Sequence, residues 1–264
     1  MLKGALHVHS NYSDGEFTLP ELRQIFVAAG CSFVCMTDHA ESFDAVKLEA
    51  YVRECEDLSD ANFRFVAGLE FECRQKMHVL GYGVTSRVNS SDPEEVFQHI
   101  AREKGIGVIA HPRDEAFSWI ESFETLPAGI EAWNSKHDGQ YAPRPSTFRL
   151  IERLQKRKSE LLAFYGQDLH RKNQFDRLFT EVEAPSPKNE KVLAAMAAGH
   201  FAGRCGDLEL PAKGSLSEPL LARFGRVQGR YDPMRRLLRR MKKVAKRVGV
   251  KVPDPVITQF RRIF

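Results

Sequence analysis

Two histidines stand at i and i+2 in His7-Val8-His9-Ser10, and a carboxylate follows in the glycine turn Ser13-Asp14-Gly15. On a strand, residues two apart project from one face, so this opening gathers metal-ligand groups. Similar groups recur in Thr37-Asp38-His39, Gly68-Leu69-Glu70, at His78, in Ala110-His111-Pro112 and in Gly166-Gln167-Asp168-Leu169-His170. If each segment ends a strand of one α/β fold, six histidines and at least three carboxylates meet in one crevice, where such folds build their sites. Crowding them there is costly without a compensating positive charge. Neutral imidazole and carboxylate suit ions such as Zn, Mn or Fe. Nine candidate ligands exceed what one ion accepts, so two or three divalent ions are expected. Ions about 3.5–4 Å apart can share a bridging hydroxide and clamp a phosphoryl group. Of the other histidines, His99 in mid-helix and His200 at a helix end read as solvated. His137, just past a strand end, could approach the site but reads more readily as a locally satisfied residue.

The elements that must position these groups are legible as apolar, β-type runs. They fall near residues 4–8, 33–37, 63–70, 78–82, 107–110, 129–133, 161–165 and 179–182. Helical patterns separate most of them. Thr18-Leu19-Pro20-Glu21 is a capping box with proline in the first turn, and Asp92-Pro93-Glu94-Glu95 opens another helix. Further helices are expected at 44–58, 146–159 and 188–198. The alternation predicts a mainly parallel sheet. Residues 71–77 are too few for a helical crossover, so the strands they join should form an antiparallel hairpin or a distortion.

A chain of 264 residues can bury a large core. Its 42% hydrophobic and 28% charged content is that of an ordinary globular protein. No apolar run approaches the roughly 18 residues of a membrane span, and the N-terminus reads straight into a strand with no signal region. A cytoplasmic location is the expectation. The five cysteines, Cys31, Cys35, Cys55, Cys73 and Cys205, show no paired spacing and read as reduced thiols filling the core. The net charge of +4 hides an asymmetry. Residues 201–264 carry 16 Lys+Arg against 5 Asp+Glu, a net of +11, which leaves −7 for the first 200. The domain reading is therefore a body over 1–200 and a basic, mainly helical extension over 201–264.

Taken together, the quoted motifs resemble the PHP (polymerase and histidinol phosphatase) family over about residues 1–200. The resemblance implies a distorted (β/α)7 TIM-like barrel with a trinuclear centre that hydrolyses phosphoesters. It assigns His7, His9, Glu70 and Asp168 to one ion, and Glu70, His78 and His111 to a second. Asp14, His39 and His170 would hold the third. Every position carries a competent ligand. Two departures from the family pattern stand out, and the second bears on substrate. The last motif reads Gly-Gln-Asp-Leu-His where the family more often has Gly-Ser-Asp-Ala-His. Only 32 residues separate His78 from His111, where relatives resembling nucleoside 3′,5′-bisphosphate phosphatases carry an inserted domain.

The expected activity is hydrolysis of a phosphomonoester or phosphodiester in a nucleotide, oligonucleotide or small metabolite. The ions would lower the pKa of a bridging water so that hydroxide attacks phosphorus. The expected catalytic set is Glu70, His39, Asp38, Arg113 and Arg171. Asp38 would orient its neighbouring ligand, and either arginine would fork onto a non-reacting phosphate oxygen. Asn134 and Lys136 are weaker candidates. Alternatives are a 5′–3′ exonuclease on short RNA or DNA, a non-catalytic metal-stabilised binding module, and C–N hydrolysis.

In the extension, residues 201–232 show turns and little periodicity. Then Met234, Leu237, Leu238, Met241, Val244, Ala245 and Val248 follow a 3.6-residue period, opposite Arg235, Arg236, Arg239, Arg240, Lys242, Lys243, Lys246 and Arg247. Three roles are open to this helix: packing on the body, contact with nucleic-acid phosphates, or contact with an anionic membrane surface. Phe224, Tyr231, Phe260 and Phe264 flank it without interleaving.

Overall fold

Strand propensity, caps and turns place the elements in the following order; the computed structural model describes residues 1–247. They are β1 (Leu2–Val8), α1 (Leu19–Ala28), β2 (Phe33–Met36), β3 (Asp38–His39), α2 (Ala45–Asp57), β4 (Arg64–Val66), β5 (Gly68–Cys73), β6 (Met77–Tyr82), α3 (Pro93–Arg102) and β7 (Ile106–Ala110). There follow α4 (Phe117–Glu121), β8 (Gly129–Asn134), α5 (Ser135–Asp138), α6 (Pro145–Gln155), β9 (Leu162–Gly166), β10 (Leu178–Val182), α7 (Asn189–Ala197), β11 (Phe201–Cys205), β12 (Leu208–Pro211) and α8 (Glu218–Arg247). The expected capping box forms on α1: Thr18 Oγ1 accepts from the Glu21 N–H, and the Glu21 carboxylate accepts from the Thr18 N–H. Asp92 caps α3 by accepting from the Glu94 N–H at 2.9 Å, and α3 buries Val96, Phe97 and Ile100.

The strands form two six-stranded sheets, ordered β12-β11-β10-β1-β2-β4 and β3-β5-β6-β7-β8-β9. The ladders thus do not trace one closed ring. The sheets approach each other where Val8 bridges Leu169 in parallel and His9 N–H donates to Leu169 O at 2.9 Å. Among the described residues, parallel and antiparallel pairings are equally numerous, which corrects the mainly parallel expectation. The cause is local. The three-residue link between β5 and β6 admits only a hairpin, so β6 runs antiparallel to β5 and to β7. A strand that runs backwards presents its first residues at the edge where its neighbours end. That is how His78, the second residue of β6, reaches the same edge as Glu70 and His111.

Residues 201–211, expected within the extension, form the β11–β12 hairpin and extend the sheet of β10 and β1. The long helix starts at Glu218, earlier than the periodicity indicated. Gly203 conceals β11. A Cβ there would lie 2.3 Å from the Tyr165 ring, so the strand needs glycine where the apolar pattern expects a side chain. Gly225, Gly229 and Pro233 similarly interrupt the helical pattern of α8. Leu221 and Phe224 of α8 are buried, and Phe224 packs near Phe148 of α6. Farther along, Met234, Leu237, Met241 and Val244 are exposed. Val248, Phe260 and Phe264 lie outside the described residues. No helix among the described residues is long and apolar enough to cross a membrane.

Candidate metal centre

β1 brings in His7 and His9, but not by simple alternation. The β1–β2 register shifts between Leu6 and Val8, and His7 takes a left-handed φ of 61°. His111 (φ 28°) and Asp168 (φ 55°), which follow β7 and β9, are also left-handed. Such non-glycine conformations cost on the order of 1–3 kcal/mol each and persist where the surroundings over-determine them. All three side chains reach the same cluster.

Glu70, 1% exposed at the middle of β5, is its hub. Its Oε2 lies 3.4 Å from His7 Nε2, 3.2 Å from His9 Nε2 and 3.5 Å from His39 Nδ1. Its Oε1 lies 2.7 Å from His78 Nδ1 and 3.4 Å from His111 Nε2. One carboxylate thus presents its two oxygens to two sets of imidazoles. Asp168 is divided in the same way. Oδ1 faces His7 and His9 at 3.8 Å, His170 Nδ1 at 3.1 Å and Lys136 Nζ at 2.8 Å. Oδ2 faces His111 Nε2 at 3.8 Å and His137 Nε2 at 3.2 Å. Asp14 Oδ1 closes the outer side, 3.1 Å from His170 Nε2 and 3.6 Å from His39 Nε2. All nine expected ligands therefore come together, around a 380 Å³ cavity lined by Asp14, His39, Glu70, His78, His111, Asp168 and His170 with Lys76, Arg113, Lys136 and His137.

The electrostatics follow from burying this set. Desolvation pushes His9 down to about 3, so its ring is neutral. Burial also opposes charge on His7, yet Glu131, Asp168 and Glu70 together raise it well above the ordinary value. For His170 the loss of water is likewise outweighed, by Asp14 and Asp168, which raise it to about 9. Desolvation would raise Glu70 and Asp168, but His7 and its neighbours hold both well below the usual carboxylate range. Burial, then His111, lowers His137.

The donor set fits metal ions. His9 is fully buried, and neither ring nitrogen makes a hydrogen bond; a neutral imidazole left so among carboxylates has a lone pair suited to a cation. Five groups of three or four residues bring their ligand atoms within 4.8 Å of one another: His9, Asp14, His39 and His170; His7, His9 and Asp168; His7, Glu70 and His111; His39, Glu70 and His78; and His111, His137 and Asp168.

Other expectations fare differently. Asp38 does not orient the His39 ring. Its buried carboxylate accepts from the N–H and Oγ–H of Ser10, both at 2.9 Å, and from those of Ser13 at 3.1 and 2.6 Å. It fixes the turn that carries Asp14. Arg113 lies at the cavity edge. Arg171 is exposed outside it, with Nε 3.9 Å from the Glu16 carboxylate. Asn134 reaches inward, donating from Nδ2 to Glu131 Oε2 at 2.9 Å and Asp168 Oδ2 at 3.2 Å. His99 is half-buried and contacts Ser86 O at 3.1 Å rather than standing in solvent. His200 is exposed. Cys73 is buried outside the ligand clusters, its thiol pushed up to about 12 by desolvation.

Glu131 and Lys76 escaped the sequence reading, and His137, for which an approach to the site is the less favoured reading, joins the cluster. Glu131 is the support beneath His7. Its Oε1 accepts from His7 Nδ1 at 2.9 Å, and its Oε2 accepts from the His111 N–H at 2.8 Å. Its signal was a lone carboxylate inside the apolar strand Gly129–Asn134. Gly166 leaves it room, since a Cβ there would fall 2.0 Å from Glu131 Oε1 and 2.8 Å from His7 Cβ.

A cluster of buried imidazoles divided between shared carboxylates, at the strand ends of a mixed α/β fold, defines a protein with a candidate metal-binding centre. The chain belongs to the PHP domain family, whose model matches residues 5–252 and so reaches into the basic extension. A two-domain protein from Bacteroides vulgatus ATCC 8482, described as containing a predicted PHP-like metal-dependent phosphoesterase, shares the fold. It is 16% identical with a TM-score of 0.57, and the match covers 79% of this chain and 66% of that one. The DNA polymerase/3′-5′ exonuclease PolX of Bacillus subtilis (strain 168) is 27% identical over 135 residues, 42% of this chain and 23% of that protein. This chain thus matches about a quarter of that curated relative.

Proposed function

We propose that this chain is a metal-dependent phosphoesterase, hydrolysing a phosphomonoester or phosphodiester at a di- or trinuclear centre. The carrying observation is the divided carboxylate of Glu70, with Oε2 toward His7, His9 and His39 and Oε1 toward His78 and His111. On this reading His7, His9, Glu70 and Asp168 hold one ion, Glu70, His78 and His111 a second, and Asp14, His39 and His170 a third. The two sheets are read as halves of one distorted barrel. Bound divalent ions would supply a water acidic enough to attack phosphorus near neutral pH and positive charge for the developing oxyanions.

The chain's own residues do the rest. Asp38 and its four hydrogen bonds hold the Asp14 turn. Glu131 keeps the proton of His7 on Nδ1, which leaves Nε2 free to ligate. Lys76, Arg113 and Lys136 line the cavity as cations for the substrate phosphate. Elemental analysis, with Mn, Zn and Fe tested separately on phosphomonoesters, phosphodiesters, cyclic nucleotides and short oligonucleotides, examines the reading. Bound metal with turnover of one class is expected. Bound metal without activity under any of the ions would favour the metal-stabilised binding module.

A short-oligonucleotide substrate is supported by the root of the basic helix. Gln228 Nε2 donates to Asp138 O at 2.9 Å, and Arg235 donates to the same carbonyl. α8 is thereby tied to the one-turn helix that carries Lys136 and His137. PolX, named as a polymerase and exonuclease, is consistent with that substrate class.

A further inference from the structure

His137 lies outside the nine ligands, yet its surroundings are those of a tenth. It sits on α5, the single turn that follows β8, and that turn is pinned at both ends. Asn134 Oδ1 accepts from the His137 N–H at 3.0 Å, while the Asn134 N–H donates to Asp138 Oδ2 at 3.0 Å. Asp138 is in turn held by Arg144 Nε at 2.6 Å. The ring so presented packs 4.3 Å from that of His111, centroid to centroid. Nε2 comes 3.2 Å from Asp168 Oδ2, the oxygen that also faces His111 Nε2 at 3.8 Å. Three donor atoms from three different strand ends converge here at the cavity edge.

We propose that His137 is a metal ligand, which with Asp168 Oδ2 would complete, at the mouth of the cluster, the coordination of the ion that His111 holds. The inference rests on the reading that this cluster binds metal. Two imidazole nitrogens and one carboxylate oxygen make a donor set of the kind that leaves further positions open for water or substrate. The split of Asp168 supports this. Its Oδ1 serves the inner histidines and its Oδ2 the outer pair, as Glu70 does between its own two sets. An ion drawn to this side stands beside Lys136, which donates to the same carboxylate from Nζ, so a phosphate at the mouth would meet both charges.

The test uses Co2+ as the probe on the full chain. Wild type, His137→Ala and His137→Cys are stripped, titrated calorimetrically and analysed for bound Co2+, and their visible spectra are recorded. His137→Ala is expected to weaken one class of Co2+ sites at least about tenfold while the other equivalents stay bound. His137→Cys is expected to restore that class and to add a thiolate-to-cobalt charge-transfer band absent from wild type, whose five cysteines, four buried and Cys205 half-buried, belong to none of the ligand groups. Unchanged stoichiometry and affinity in His137→Ala, with no new band in His137→Cys, would overturn the assignment of His137 and leave the rest of the cluster standing. Wild type that binds no Co2+ would overturn both.

Discussion

Glu131→Gln is an isosteric change whose effect can be worked out from hydrogen-bond donors and acceptors. Glu131 accepts three bonds: His7 Nδ1 on Oε1, and the His111 N–H and Asn134 Nδ2 on Oε2. Glutamine has one acceptor oxygen. Placed at the Oε2 position it keeps two bonds, and its NH2 then faces His7 Nδ1. Placed at Oε1 it keeps one, and sets an NH2 against two donors. The first orientation wins by a hydrogen bond. It obliges His7 to accept at Nδ1 and so to carry its proton on Nε2, the nitrogen that faces Glu70 and Asp168. A protonated Nε2 cannot ligate. Loss of such an outer partner typically costs 10- to 100-fold in metal affinity, about 1.4–2.7 kcal/mol. Calorimetric titration of the stripped protein with Co2+ measures it. Glu131→Gln binding every Co2+ equivalent as tightly as wild type would show that Glu131 does not set the His7 tautomer.

Metal affinity should also rise with pH between about 6.5 and 9. In the metal-free protein His170 titrates near 9, because Asp14 and Asp168 outweigh its desolvation. Its charge therefore stabilises the metal-free fold fully below its ordinary pKa of about 6.5, and that stabilisation fades as pH rises through 9. A bound ion needs the neutral ring, so the trends oppose: stripped protein loses Tm over this window while apparent affinity climbs. An affinity flat from pH 6.5 to 9 would contradict the assignment of His170. Separately, removal of residues 233–264 should weaken binding to single-stranded RNA or DNA and flatten its dependence on log[salt], by roughly 0.7 for each phosphate the segment neutralises. Equal slopes with and without the segment would exclude it from nucleic-acid binding.

The site was legible because ligand types recur at the ends of apolar runs, and strand ends are where an α/β fold converges. Even β6 could be read, since a short link forbids a crossover. What stayed hidden depended on tertiary contact. Glu131 is a strand residue made functional by His7, which is far away in sequence. His137 looked like a local histidine because nothing in the sequence shows that β8 ends against Asp168. Asp38 read as a partner of His39 by adjacency, yet its oxygens meet Ser10 and Ser13 across the strand edge. In the last part, Gly203 broke the periodicity that would have marked β11, for a close approach that only the Tyr165 ring makes plain. Gly225 and Gly229 did the same to the first turns of α8.

Glu70→Gln probes the shared carboxylate itself. The buried, divided carboxylate becomes a neutral amide of the same size, with one oxygen in place of two. Bound metal and turnover of the best substrate from the phosphoester panel are measured against wild type under the same ion. The variant is expected to lose at least one equivalent of metal, with turnover abolished. Full phosphoesterase activity in Glu70→Gln would contradict that role of Glu70.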